Sequence, residues 1–557
     1  MSGKMENNFE NLEFNEFINE GKDPFIDHRG SIINYYLDNK VNQIGLIDSK
    51  RGTVRGNHYH PEQLQSCILI KGSYISVTKN LKDDNAVIES RLVKEGEISI
   101  IKPNIAHTMV FIQDSVFINL VDGEREHENY GETHTFPIEI VDNFLAENIV
   151  ECYKDDCRVC DSRNLVLIHS FGLSPLANNL VKNKTSKATT YPLELNYCKD
   201  CNNIQLNVVV NPNILFDKYL YTSSTSQSFV NHFEELAYDL IKEFNLDKES
   251  TVVDIGSNDG IFLKPLIEKN IKSIGVEPAV NLAKDANQNN LETINSYFDK
   301  EVVESIIQKY GQVDVVTAFN VFAHSDKLKE MADCMLKLLG KKGTIIIEVQ
   351  YLMNTLKDMT FDNIYHEHYN YWSLTSLVNF FNQFDAKIFR SEKIDTHGGS
   401  LRVYIKKNTK VKIEKSVKKM LKEEENFGIK DYQTYQKFGE KVYKIRENVL
   451  NNLKNLKKRN KKIIGYGAPA KATTALNFFG ISTDIDFIVE DNKLKHNKFI
   501  PGVKIPIKNK SAIKNKKNAL LVLAWNFYKD IKKNNSDLSD KFVNIKELET
   551  NNWKQDF

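Results

Sequence analysis

Nine consecutive residues, Asn363-Ile-Tyr-His-Glu-His-Tyr-Asn-Tyr371, carry two imidazoles, a carboxylate and three phenols. Histidine titrates near neutral pH, so it can take or give a proton without a large environmental shift. A carboxylate or phenol beside it can orient it or polarise a carbonyl. Upstream, Thr251-Val-Val-Asp-Ile reads as a buried strand, and Gly256-Ser-Asn-Asp-Gly260 as a turn into a helix starting near Phe262. Glycines in such a turn let the backbone approach a ligand where a side chain would collide. The next strand, Ser273-Ile-Gly-Val-Glu277, ends in a carboxylate 23 residues after Asp254. A Rossmann-like fold places there the acid that holds ribose hydroxyls. The turn lacks GxGxxG, so the expected cofactor is S-adenosylmethionine and the competitor is NAD. A methyl donor beside acid–base groups points to methyl transfer onto a nucleophile made in the site, for which a carbon acid is the natural candidate.

Cys157-Arg-Val-Cys160 and Cys198-Lys-Asp-Cys201 are two knuckle pairs. Each presents two thiolates from one tight turn, and together they complete a tetrahedral zinc site with no position open to substrate, hence a structural one. Cys152 is a spare nearby, and Cys67 and Cys334 read as buried thiols. His366 and His368 form an HxH pattern, which without a third nearby ligand is a fragment of a metal site. A packed aromatic face with polar tips in water is the other bland reading of that stretch.

The elements that must position these groups follow from patterning. At 557 residues the chain exceeds one core. Residues 1–148 contain short alternating segments such as Asn42–Asp48, Ser66–Lys71, Ser73–Thr78, Ile98–Ile101 and Val116–Val121, the signature of an all-β barrel or jelly roll. The zinc segment spans 149–215. Strand and helix patterns alternate over 216–410, an α/β signature that continues in the strands Asp314–Thr317 and Gly343–Glu348. Residues 411–557 open with a charged helical stretch to 459, then a second strand–loop–helix unit at Lys462-Ile-Ile-Gly-Tyr-Gly-Ala-Pro-Ala470.

A net charge of +1 gives no basic excess, so nucleic acid is not an expected partner. No apolar run approaches the ~20 residues of a membrane helix. The polar, acidic stretch Met1–Asp27 is unlike a signal peptide. Seven cysteines, four of them in knuckles, argue against a disulfide framework. A cytoplasmic location is expected.

From about residue 150 onward the chain resembles the nucleotide-sugar C-methyltransferases of deoxysugar pathways. The resemblance rests on the four cysteines, Pro175-Leu-Ala-Asn-Asn179, Tyr191-Pro-Leu-Glu-Leu195, Tyr219-Leu-Tyr-Thr-Ser-Ser224, Asp254-Ile-Gly-Ser-Asn-Asp-Gly260, Asn320-Val-Phe-Ala-His324 and Tyr365-His-Glu-His368. Gly398-Gly-Ser-Leu-Arg402, Gly465-Tyr-Gly-Ala-Pro-Ala-Lys471 and Leu523-Ala-Trp-Asn526 extend it. It implies a zinc segment, a Rossmann-like donor domain and a second Rossmann-like domain acting on a TDP-type, nucleotide-linked 4-keto-6-deoxy sugar, with C3 the favoured carbon. His368 becomes the expected base, Tyr365 and Glu367 its polarising or orienting partners, and His324 and Tyr221 neighbours of the reacting centre. Asp254, Gly256, Ser257, Asn258, Gly260, Glu277 and Asn320 would hold the donor, and Arg402 and Lys471 the substrate. A lysine at a helix start can meet phosphate, though a solvated lysine fits equally. O- or N-methylation of a sugar is the rival enzyme reading, and a non-catalytic sugar-binding scaffold the rival from another class.

Gly52-Thr-Val-Arg-Gly-Asn-His-Tyr-His60 resembles the strand of cupins, above all nucleotide-sugar epimerases and ketoisomerases. On a strand His58 and His60 share one face, with His107 a further candidate ligand. Gln65 stands where a metal cupin has Glu, a poor substitute for a carboxylate, which favours metal-free proton transfer by His58 or His60. Arg55 would bind a diphosphate in bidentate fashion. Epimerase, ketoisomerase and an inactive binding or assembly module all stay open, and the resemblance implies a homodimer through this barrel.

Overall fold

A computed structural model describes residues 15–20, 22–27, 30–35, 37, 40–83, 86–121, 135–217, 222–225, 227–395, 399–407, 410–459, 462–514, 518–551 and 553. The N-terminal barrel is a sandwich of two five-stranded antiparallel sheets. One runs Glu16–Glu20, Glu97–Ile101, Gln65–Lys71, Ser115–Val121, Gln43–Ser49, and the other Phe136–Pro137, Val54–Tyr59, Ile105–Phe111, Ser73–Asn80, Glu89–Lys94. Alternation sorts the side chains. Cys67, Leu69, Tyr74, Val93, Met109, Phe111 and Phe117 fill the interior. Ile75, Val77 and Val110 point the other way and pack on Ile149, Tyr153, Leu176 and Tyr191 of the next segment.

That segment folds as an antiparallel sheet of Leu165–Pro175, Thr190–Cys198 and Ile204–Leu206. Its fourth strand, Asn370–Tyr371, arrives from far along the chain and pairs Ile204 with Tyr371. The strand that follows the His-Glu-His cluster is thus part of the cysteine-bearing sheet.

The central sheet comprises β1 (Thr251–Ile255), β2 (Lys272–Val276), β3 (Thr293–Ile294), β4 (Val313–Phe319), β5 (Leu339–Gln350), β6 (Lys387–Ile394) and β7 (Ser400–Lys406). Their order is β3-β2-β1-β4-β5-β7-β6, with β7 alone running antiparallel, between β5 and β6. All five residues of β1 are buried, as expected of a strand covered on both faces. Because β1 lies between β2 and β4, the chain leaves it toward one side and returns on the other, opening a crevice at the carboxyl ends.

Two helices, Lys415–Phe427 and Tyr432–Arg459, replace the single stretch expected, separated at Gly428 with φ +86°. A five-stranded parallel sheet follows: β8 (Ile463–Tyr466), β9 (Phe487–Val489), β10 (Ile507–Lys508), β11 (Ala519–Val522) and β12 (Phe542–Asn544), ordered β10-β9-β8-β11-β12. It repeats the switch point beside its first strand. One contiguous buried cluster runs from Cys157 through β1, β4 and β5 to Leu548. Zinc segment, central domain and C-terminal domain therefore share a core, which fixes the two crevices relative to each other. No helix among the described residues is long and apolar enough to cross a membrane.

Candidate active site

Both crevices open onto one cavity of about 1350 Å³. On the central side the turn after β1 is shaped by Gly256, whose φ of +67° and whose N–H to Val276 O (2.7 Å) fold the backbone back on β2. A Cβ there would lie 2.3 Å from Val321. Glu277 at the end of β2 accepts N–H groups from Asn258 (2.9 Å) and Ala279 (2.8 Å) and is held above its ordinary pKa by burial. Asp254 accepts from the Thr317 hydroxyl at 2.6 Å, and burial, reinforced by the charge of Glu277, pushes it up to about 7. Ser257 lines the cavity with a buried hydroxyl that has no partner among the described residues. Asn320, held at φ +57°, lines the facing wall. This cradle, with Tyr297 and Phe298 beside it, fits an adenosyl donor: closely approaching backbone, an acid for ribose hydroxyls, aromatic rings for a base. Gly260 has a different job. It is a left-handed turn residue (φ +79°) packed against Leu291, outside the cavity lining.

Across the cavity, His368 and Tyr365 face inward with rings 4.3 Å apart, and His324 stands 4.9 Å from His368. The Nδ1–H of His368 donates to Asn363 O at 3.0 Å, which leaves Nε2 as the basic nitrogen. Burial lowers His368 to about 4, opposed by that hydrogen bond and aided by the nearby charge of Lys471. His324 is held well below its usual range by burial and by His368. Both are neutral imidazoles near pH 7. Glu367 is buried behind the cavity wall, where it accepts from the Asn178 amide at 2.6 Å. It positions Asn178, a cavity residue supplied by the cysteine-bearing segment. His366 turns away entirely, with Nε2 at 3.2 Å from Pro192 O, so the HxH pair does not converge on a metal.

The C-terminal crevice copies the donor cradle. Gly467 has φ +85° and donates to Val489 O at 2.8 Å, while Glu490 at the end of β9 accepts from Ala468 N (2.7 Å) and Asn492 N (2.9 Å). Lys471 lines the cavity near the start of the helix Ala470–Phe479, its ammonium 4.2 Å from the Trp525 ring centre, and burial lowers its pKa. It is not a solvated surface lysine.

The four knuckle cysteines converge with all ligand atoms within 4.8 Å, and the sulfur pairs Cys157–Cys201 and Cys160–Cys198 lie 3.5 and 3.6 Å apart. A disulfide would need about 2.05 Å. Four thiolates around one zinc at about 2.3 Å sit roughly 3.8 Å apart, so the cluster fits that ion. Arg158, between the first two cysteines, donates to Asp326 (2.8 Å), Leu206 O (2.5 Å) and Tyr369 O (3.1 Å). The knuckle thereby holds the residue next to His368.

In the barrel, His58, His60 and His107 bring their nitrogens within 4.8 Å of one another, and Gln65 Oε1 lies 2.9 Å from His60 Nε2. A bulge at Gly56–Asn57 (φ +95° and +57°) inserts one residue, so Arg55 pairs with interior Met109 just as His58 pairs with His107. Arg55 therefore faces the same side as the histidines. Its guanidinium reaches Ser49 Oγ (2.7 Å) and Asp48 O (2.8 Å) at the exposed mouth.

Arg402 corrects an expectation. It sits on β7, buried, with Nη2 2.8 Å and Nε 3.0 Å from Glu348 and Nη2 3.2 Å from His232, away from the cavity lining. It neutralises a buried carboxylate instead of meeting substrate. Tyr221 lies outside the described residues. Sequence reasoning missed Asn178, Asn363, Glu490 and Asn526 as cavity residues. For Glu490 a signal existed: it follows Gly467 by 23 positions, as Glu277 follows Gly256 by 21.

Three family models match in series: a zinc binding domain at 157–216, a methyltransferase domain at 229–390 and a C-methyltransferase C-terminal domain at 395–545. The C-methyltransferase NovU of Streptomyces niveus is 32% identical over 382 residues, covering 68% of this chain and 91% of that protein. Solved structures similar to the N-terminal region include dTDP-4-dehydrorhamnose 3,5-epimerase from Sulfolobus tokodaii (22% identity, 24% of this chain and 83% of that chain, TM-score 0.21). Another is the sugar 3,4-ketoisomerase QdtA from Thermoanaerobacterium thermosaccharolyticum in complex with TDP (15% identity, 21% and 88%, TM-score 0.19). At such scores the barrel assignment rests on its own strands.

Proposed function

The chain belongs to the S-adenosylmethionine-dependent C-methyltransferases and carries a four-cysteine zinc site, and from that premise we propose that it methylates a carbon, C3 by preference, of a nucleotide-linked 4-keto-6-deoxy sugar. The observation that carries the reading is the pair of matching nucleotide cradles, Gly256/Glu277 and Gly467/Glu490, opening on one cavity with His368 in its wall. One cradle serves the donor, which when bound supplies an electrophilic methyl group; the other serves the nucleotide of the substrate. A carbon attacks a methyl group only after losing a proton beside the ketone, and His368, neutral with Nε2 as its basic nitrogen, is the group suited to remove it. Tyr365 and His324 orient and shield it, and Asn178, braced by Glu367, extends the same wall. Binding calorimetry tests the division of labour. Glu277→Ala is expected to weaken S-adenosylhomocysteine and spare the sugar nucleotide, and Glu490→Ala the reverse. Unchanged sugar-nucleotide affinity in Glu490→Ala contradicts the reading.

For the barrel, the convergence of His58, His60 and Arg55 on one interior face supports a second proton transfer on the same substrate class, an epimerisation or ketoisomerisation. Arg55 at the mouth suits a diphosphate. If His58→Asn and His60→Asn leave solvent deuterium exchange unchanged at every sugar carbon, the barrel is a binding or assembly module instead. Pairing of two chains through the outward face bearing Ile44, Leu46 and Ile70 belongs to this reading, and a monomer in sedimentation contradicts it.

A further inference from the structure

Removing a proton beside a ketone sends charge to the carbonyl oxygen, and the residues described so far do not meet it. Two groups in the cavity wall have no role yet. Asn363 is 5% exposed, lines the cavity, and its amide Nδ2 has no hydrogen-bond partner among the described residues. Its own carbonyl accepts the Nδ1–H of His368, so base and amide are fixed to one residue. An unpaired buried donor costs about 1–3 kcal/mol in general, a cost that a fold tolerates where a ligand completes the bond.

Lys471 approaches from the C-terminal domain. Its ammonium rests on Trp525 at 4.2 Å, and Trp525 donates Nε1–H to Asp362, the neighbour of Asn363, at 2.6 Å. Burial lowers the pKa of Lys471, opposed by the charge of Asp362 and aided by that of Lys546. The cation is thus steered to the wall that holds Asn363 and His368, where Asp362 acts on it electrostatically without a direct ion pair.

Resting on the proposed C-methylation, we propose that the Asn363 amide and the Lys471 ammonium form the site for the substrate's developing enolate oxygen. His368 Nε2 takes the proton from the carbon beside the ketone. The C–H electron pair becomes the carbon–carbon double bond, and the carbonyl π pair moves to oxygen, where the N–H groups of Asn363 and Lys471 meet it. When the carbon bonds to the methyl group, the sulfur–methyl pair stays on sulfur, the carbonyl re-forms, and the imidazolium passes its proton to water. Preorganised donors of this kind act where charge develops more than on the ground state.

The test follows deuterium entry from D2O into TDP-4-keto-6-deoxyglucose by NMR, with S-adenosylhomocysteine in place of the donor and with His58→Asn and His60→Asn present in every protein compared, so that the barrel contributes no exchange. Asn363→Ala and Lys471→Met are each expected to slow exchange by about 10²–10³-fold, as loss of one oxyanion donor does. Calorimetric affinities for the keto sugar and S-adenosylhomocysteine should stay within about threefold, since the charge is absent from the ground state. Lys471→Arg should recover part of the rate, and Asn363→Asp, equal in shape but anionic, should exchange no faster than Asn363→Ala. Exchange near the wild-type rate in both Asn363→Ala and Lys471→Met, with His368→Asn inactive, overturns this inference and leaves the base in place. Wild-type exchange in His368→Asn overturns the base assignment, and this inference with it.

Discussion

Taking the reaction from pH 8 down to 5.5 should barely slow proton abstraction. An ordinary imidazole titrates near 6.5, whereas burial brings His368 to about 4, with the hydrogen bond to Asn363 opposing and Lys471 assisting. That lowering favours the neutral ring by roughly 3 kcal/mol. At pH 5.5 an unperturbed histidine would be only about 9% neutral and His368 about 97%, a tenfold difference in available base by the same arithmetic. The assay is the pH dependence of kcat/KM for deuterium entry into the keto sugar, in protein carrying His58→Asn and His60→Asn so that only the methyltransferase site exchanges, and it reports the free-enzyme base. A plateau reaching below pH 5.5 is expected, and His368→Asn should cost about 10²–10⁴-fold. An acid limb centred at 6.5 or above, or a wild-type rate in His368→Asn, refutes the reasoning. Linkage gives a companion sign. Because the folded pKa lies below the unfolded one, the unfolded chain binds more protons between pH 6.5 and about 4, so His368 costs stability as pH falls through that window.

His169 is buried among Phe171, Tyr443 and Phe478 with neither ring nitrogen hydrogen-bonded among the described residues, and burial lowers it to about 3. His169→Phe is expected to stabilise the fold by about 1–3 kcal/mol and to flatten the loss of stability below pH 6.5, as read by denaturant melts at two pH values. Cys198→Ser should abolish bound zinc in metal analysis. It should also reduce deuterium exchange, because Arg158 on the knuckle holds Tyr369 beside His368; full exchange without zinc contradicts that link. Arg402→Leu should cost about 3–5 kcal/mol by stranding the buried Glu348 charge, with sugar-nucleotide affinity unchanged.

What the sequence revealed and what it hid follow from distance along the chain. The turn after β1 was legible because a parallel strand buried on both faces is an unbroken apolar run, and its glycine and trailing acid are local. The knuckles were legible for the same reason. The link from Asn178 to Glu367 spans 189 positions, and no local pattern encodes it. Arg402 sits in a motif that names neighbours along the chain yet says nothing of which face of β7 they occupy; the face was decided by Glu348 on β5. The bulge at Gly56–Asn57 hid Arg55 in the same way, since strict alternation puts residues 55 and 58 on opposite faces. The glycine loop of the second cradle was legible at Gly465-Tyr-Gly-Ala-Pro-Ala470, but its acid Glu490 was not, although the glycine-to-acid spacing nearly repeats that of the first.

The account stands most directly on one product. Incubation of the protein with TDP-4-keto-6-deoxyglucose and S-adenosylmethionine carrying a ¹³C methyl group should yield a sugar whose labelled carbon couples to a ring carbon, next to the ketone, in two-dimensional NMR. A label found on oxygen or nitrogen, or a methylated product from a sugar nucleotide that has no ketone, contradicts the carbon-acid mechanism built on His368.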